Sequence, residues 1–140
     1  MSTNAQNIGS VAAEGRVLLT EHYGPARSDE CVMVQTLDAP GNGGAHHRYL
    51  LQWSPVGGAL SPSYMVIEFQ NGPIPQVGPN GVTHEALLAI VAHRLECFNQ
   101  GPFACRENAV ALTKIQEALM WLHRRTQKRI ERNVEGTNYV

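Results

Sequence analysis

Between Thr83 and Asn133 the apolar positions recur at three- and four-residue steps. Leu87, Leu88, Val91, Leu95 and Phe98 do so in THEALLAIVAHRLECFNQ. Leu112, Ile115, Leu119 and Leu122 do so in RENAVALTKIQEALMWLHRRTQKRIERN. This is the period of a helix that buries one stripe. Thr83 suits the N-cap of the first helix. Gln100-Gly101-Pro102 stops it, because Gly suits the position after a helix and Pro cannot continue one. Glu107 at the start of the second segment and the cationic residues near its end both favour the helix dipole. The pattern predicts two antiparallel helices joined by the short turn GPFAC.

The first half reads differently. Arg16–Tyr23 (RVLLTEHY), Cys31–Leu37 (CVMVQTL), Arg48–Trp53 (RYLLQW) and Tyr64–Phe69 (YMVIEF) are short, with β-branched and aromatic content, as strands are. Gly- and Pro-rich stretches, DAPGNGGA and SPVGGALSPS, separate them as loops do. Together these give an α+β chain: a small antiparallel N-terminal β-sheet followed by a C-terminal antiparallel two-helix hairpin. The expected organisation is a frayed tail over 1–14, a β-rich part over 15–70, a turn-rich connector over 71–83 and the hairpin over 84–140, all in one compact domain.

Charge narrows the function. The chain has a net charge of −1. Residues 1–83 carry three Lys/Arg and six Asp/Glu, whereas residues 84–140 carry eight and six. The chain is therefore not a general nucleic-acid coat, and any anion site is local. Arg124, Arg125, Lys128, Arg129 and Arg132 are five of the eleven basic residues. Arg125, Arg129 and Arg132 are spaced to share a helical face. Guanidinium groups are planar forks of donors that match phosphate, although a basic helix end also simply favours the dipole. Three cysteines without framework spacing, a polar N-terminus and no long apolar run fit a reducing, cytosolic setting without a membrane span.

Other constellations carry less. His93 and Cys97 are four apart on one helix face, yet a metal would lack its remaining ligands, and Cys97 and Cys105 read as small apolar packers. His46-His47 reads as an exposed pair beside a glycine-rich loop. Glu107, Glu117 and Glu131 are too scattered for a carboxylate pair, and no nucleophile elbow is present. No catalytic residue, metal or cofactor is assigned. The connector QNGPIPQVGPNGVT is Gly-rich before a helix, as phosphate cradles are. It has neither dinucleotide nor P-loop spacing and reads as a rigid link.

Taken in order, FQNGPIPQVGPNGVTHEALL, HRLECFNQGPFACRENAVAL and EALMWLHRRTQKRIERNVEGT resemble a phage protein family. It is the family of Thoeris anti-defence sponges, which share a helical-hairpin domain with the smaller anti-CBASS cyclic-nucleotide sponges. The likeness covers about half of the chain, from Phe69 to Thr137. It implies a protein that sequesters, without degrading, a signalling nucleotide in the cytoplasm of the infected bacterial host. For Thoeris this is a glycocyclic ADP-ribose, and some members also hold CBASS cyclic trinucleotides at a second site. It further implies a homo-oligomer, either a dimer or a hexamer built from dimers. Carried over residue by residue, the ligand-binding positions are Phe98, Asn108, Arg125 and Arg129, and Arg106 is associated with the second site.

These four residues make chemical sense together. Phe98 can stack on a base, a contact of about 1–3 kcal/mol in nucleic-acid systems. The Asn108 amide can donate and accept at a base edge or ribose. Arg125 and Arg129 can fork the phosphates. However, Asn108 and Arg125 are 17 positions apart, which is ~25 Å along a helix. One small ligand meets all four only if the arginines come from a second chain, as in two hairpins packed antiparallel about a two-fold axis. The rival readings are a nucleic-acid-binding module that uses the basic end of the second helix, an enzyme that consumes the same messenger, and a self-associating structural protein. The turn-rich connector or the residues after Arg132 are the candidates to close over a ligand.

Overall fold

A computed structural model describes residues 32–53 and 63–139. The expected tail over 1–14, the expected strand Arg16–Tyr23, Cys31 and most of the SPVGGALSPS loop lie outside the described residues. The chain divides into two compact units between Asn71 and Gly72.

The first unit is built on a three-stranded antiparallel sheet of β1 (Val32–Thr36), β2 (Arg48–Trp53) and β3 (Ser63–Glu68), in the order β1-β2-β3. Three of the expected strands are thus present, each within one residue of the expected bounds. Val34 lies opposite Leu51, and Leu51 opposite Met65, so these apolar side chains share a face. Leu50, on the other face of the central strand, lies opposite Gln35 and Val66 and is 2% exposed. Thr36 is also fully buried. Tyr49 and Phe69 meet edge to face at 5.6 Å.

Asp38 organises the β1–β2 connection. Its carboxylate accepts from the backbone N–H of His47 at 2.9 Å and of Arg48 at 3.2 Å. His46 Nδ1 lies 2.7 Å from the Asp38 carbonyl oxygen, and His47 Nε2 lies 3.0 Å from that of Asn42. The histidines are therefore half-buried struts of the loop and not the exposed pair that the sequence suggests. The cause is a carboxylate placed to satisfy two loop amides. Burial raises the Asp38 pKa. The amides of His47 and Arg48, helped by the charge of His46, more than offset this and hold the carboxyl below its ordinary value.

The second unit contains α1 (Ile74–Val77), α2 (His84–Gln100) and α3 (Arg106–Glu131). The connector is thus not turn alone, for Pro73 caps a single helical turn with Pro75 in its first positions, where a missing N–H costs nothing. Gly78 at φ +75° ends it. Thr83 caps α2 as expected, its hydroxyl accepting from Ala86 N–H at 3.2 Å. Gly101 is not left-handed. A Cβ there would sit 3.3 Å from the Cys97 carbonyl oxygen, a tight approach that favours glycine.

The five-residue turn makes α2 and α3 antiparallel. Their seam follows alternating three- and four-residue steps: Leu88, Ala92, Leu95 and Asn99 on α2, and Leu112, Ile115, Leu119 and Leu122 on α3. Of these only Ala92 is buried, and the others are half-buried. Val91, expected in the buried stripe, is instead exposed.

Candidate functional site

The candidate residues gather at the two ends of the hairpin. At the turn end, Phe98 is half-buried and Phe103 is 69% exposed. Their rings meet edge to face, with centroids 5.9 Å apart. The Arg94 guanidinium lies 4.8 Å from the Phe98 ring centroid, a cation–π position. The Asn108 side-chain amide donates to the Phe103 carbonyl oxygen at 3.2 Å. Phe103 thus links Phe98 and Asn108 into one aromatic and amide patch. Arg94 and Phe103 were not singled out from the sequence. The available signal was an aromatic residue in a turn of small residues, where no core position requires one.

Two further groups complete this end. Cys105 caps α3, its sulfur accepting from the Asn108 N–H at 3.4 Å. Cys97 is exposed, with its sulfur 3.9 Å from His93 Nε2. Neither cysteine is the apolar packer that composition suggests. Among the described residues no group of three or more His, Cys, Asp or Glu side chains is placed to hold a metal. Asn99 Oδ1 is buried and has no hydrogen-bond partner among the described residues, which is uncommon for an interior carbonyl. Arg106 is exposed at the first position of α3. It is two residues from Asn108 and therefore faces away from it.

At the other end, Arg125 is exposed and Arg129 is not. The helix closes with Asn133 at φ +56°, the Val134 N–H donating to Arg129 O at 3.0 Å and the Asn133 N–H to Ile130 O at 2.9 Å. This is a Schellman ending with Asn in place of Gly. It turns residues 134–139 back over Arg129. The guanidinium donates through Nε to Glu135 at 2.9 Å, through Nη1 to Tyr139 O at 2.8 Å, and through Nη2 to Val134 O at 3.0 Å and Thr137 O at 2.9 Å. Gly136, at φ +75°, passes so close to α1 that a Cβ there would lie 3.4 Å from Pro75 Cγ. The connector and the tail, the two segments suited to close over a ligand, therefore touch each other.

Within one chain these ends stay apart. α3 is unbroken from Arg106 to Glu131, which preserves the ~25 Å between Asn108 and Arg125. The ends do share a side. At roughly 100° per residue, Leu87, Val91 and Phe98 fall on one flank of α2, and Val110, Trp121 and Arg125 on one flank of α3. Because the helices are antiparallel, both flanks lie on the same side of the hairpin. Trp121 is 65% exposed there, beside Arg125 one helical turn on.

Comparison with known proteins adds a family to this geometry. Residues 61–127 match the model of the Acb2/Tad1 hairpin domain. The chain is also 53% identical over 72 residues to Thoeris anti-defense 1 of Bacillus phage SBSphiJ7. That match covers 51% of this chain and 51% of the relative, so the chain spans about half the length of the curated protein that it matches. The stretch that matches, residues 61–127, holds the turn and most of both helices, so the likeness to the Acb2/Tad1 hairpin domain lies in the helical hairpin.

Proposed function

We propose that this chain is a phage anti-defence protein that sequesters a cyclic signalling nucleotide without chemical change. The ligand is a glycocyclic ADP-ribose, and the place of action is the cytoplasm of the infected host. Two hairpins pack antiparallel through the flank that carries Val91, Val110 and Trp121. The turn of one then lies beside the tail of the other. Phe98 of one protomer stacks on the base and Asn108 reads a polar edge. Arg125 and Arg129 of the other protomer face the pyrophosphate. The observation that carries this reading is the separation of an aromatic and amide end from an arginine-bearing end on an unbroken helix with an exposed apolar flank between them. Two-fold symmetry turns that separation into two complete sites. Arg106, facing away from Asn108, belongs to a second site for cyclic trinucleotides.

A sponge acts by stoichiometry and slow release, and so needs an enclosed pocket. The touching connector and tail suit that task. The rival nucleic-acid reading is weakened by the acidity of residues 1–83, which carry three Lys/Arg and six Asp/Glu.

The test is bind-and-release. The protein is mixed with extract from cells whose Thoeris TIR protein has been triggered, then washed and heated, and the released nucleotide is identified by mass spectrometry. Recovery of an intact cyclic ADP-ribose isomer is expected. Arg125→Ala removes charge-assisted hydrogen bonds of about 1.5–3 kcal/mol and should weaken binding roughly 10- to 150-fold. A smaller product would identify an enzyme. Binding that falls steeply with salt and ignores small cyclic ligands would identify a nucleic-acid module.

A further inference from the structure

The four acceptors around Arg129 are not equivalent. Three are backbone carbonyl oxygens, from Val134, Thr137 and Tyr139, and they fix the plane of the guanidinium. The fourth, at Nε, is the Glu135 carboxylate, the one full negative charge among them. A carboxylate there offers what a phosphate oxygen would offer: an anionic acceptor in the plane of the fork. We infer that Glu135 is an internal stand-in for ligand phosphate, and that a bound phosphate takes its place on Arg129 Nε while the carbonyls keep the guanidinium aimed.

This inference rests on the ligand reading above and deepens it. The surroundings permit the exchange. Glu135 is itself exposed, with 44% of its side chain open to solvent, whereas the Arg129 side chain is only 21% open. The acid can swing into water without leaving a buried charge behind, but the arginine cannot leave without stranding three carbonyls. The backbone held by Arg129 is pinned independently. The Schellman ending fixes its start. Thr137 closes a turn on Val134 through its N–H and its hydroxyl, and that hydroxyl also accepts from the Tyr139 N–H at 3.2 Å. Loss of the Glu135 contact therefore need not unfold the tail. Glu135 makes the site selective: a neutral ligand cannot replace it, whereas a phosphate-bearing one exchanges one anion for another.

The test uses the full chain and the variants Glu135→Gln and Arg129→Ala. An exposed ion pair contributes about 0.2–1 kcal/mol, so Glu135→Gln should tighten glycocyclic ADP-ribose binding by up to roughly fivefold. Its association rate should rise. Unchanged or weaker binding overturns the inference. A second measurement stands apart from the identity of the ligand. Hydrogen exchange of the Val134, Thr137 and Tyr139 amides is followed while inorganic pyrophosphate is titrated into the free protein. Binding to Arg129 should shift Glu135 side-chain resonances while leaving those amides protected, and Arg129→Ala should abolish the shift. Absence of any Glu135 response in the wild type overturns the inference. If pyrophosphate displaces Glu135 but no cyclic ADP-ribose binds, only the functional reading fails.

Discussion

The two units of this chain bury apolar surface in different ways. The sheet unit seals Leu50 at its centre, buries Thr36 and ties its β1–β2 loop to Asp38. The hairpin unit buries only Ala92 among its described residues and leaves Ile90, Val91, Phe103, Met120 and Trp121 exposed. A two-layer pair of helices can cover only one stripe of each helix. These helices carry more apolar positions than one stripe holds. The sheet unit thus holds a sealed residue at its centre, and the hairpin carries apolar surface that, on the proposal above, a second copy would cover. That difference suits the proposed site, whose residues lie at opposite ends of one hairpin.

Truncation in the two units is the strongest way to break the comparison. Leu50→Ala should cost on the order of 2–5 kcal/mol, the range for a sealed leucine. Leu119→Ala, in the half-buried seam, should cost on the order of 1–2 kcal/mol, since only part of its transfer free energy is at stake. Urea midpoints measure both, and equal losses would show that the hairpin seals itself as well as the sheet does.

Next comes the exposed flank. Trp121→Glu should leave the helices formed and disperse the oligomer, because a central aromatic anchor contributes about 2–4 kcal/mol to an interface. Light scattering on an eluting column reads the mass, and circular dichroism reads the helices. A wild-type chain that is monomeric throughout would remove the premise.

Smaller effects sharpen the local picture. Thr83→Ala removes the cap of α2 and should cost about 1 kcal/mol. Acid should act on the sheet unit first. The folded pKa of Asp38 is lowered. Its contribution is therefore full above the unfolded value of about 3.9 and is lost as pH falls through the folded value. The Asp38→Asn variant should show little of this loss below pH ~4. Proton resonances of the His47 and Arg48 amides report it directly.

The helices were legible along the chain because the information was local. Thr83, the three- and four-residue spacing of Leu112 to Leu122, and the Gly101-Pro102 stop each act within a few residues. They set α2 and α3 nearly to the residue, and the strands followed from short β-branched runs. The resemblance named the hairpin family from the same stretch. What was not legible depended on partners distant in sequence. Nothing near Arg129 says that four acceptors from Val134 to Tyr139 converge on it. Nothing near His46 says that Asp38 holds the loop, and nothing near Phe98 says that Phe103 and Arg94 frame its ring.

The sequence by itself determined the three described strands, the two long helices, their order and the chemical types at the two ends of the hairpin. Hydrophobic period and capping are properties of a short window of chain. Tertiary structure alone decided which apolar residues remain on the surface and which arginine stays open to solvent. Arg125 and Arg129 are the same residue type, one turn apart on the same helix. They differ because the chain turns back at Asn133 and covers only one of them. Burial and hydrogen bonding are settled by what the rest of the chain brings near, and that is not written at either position.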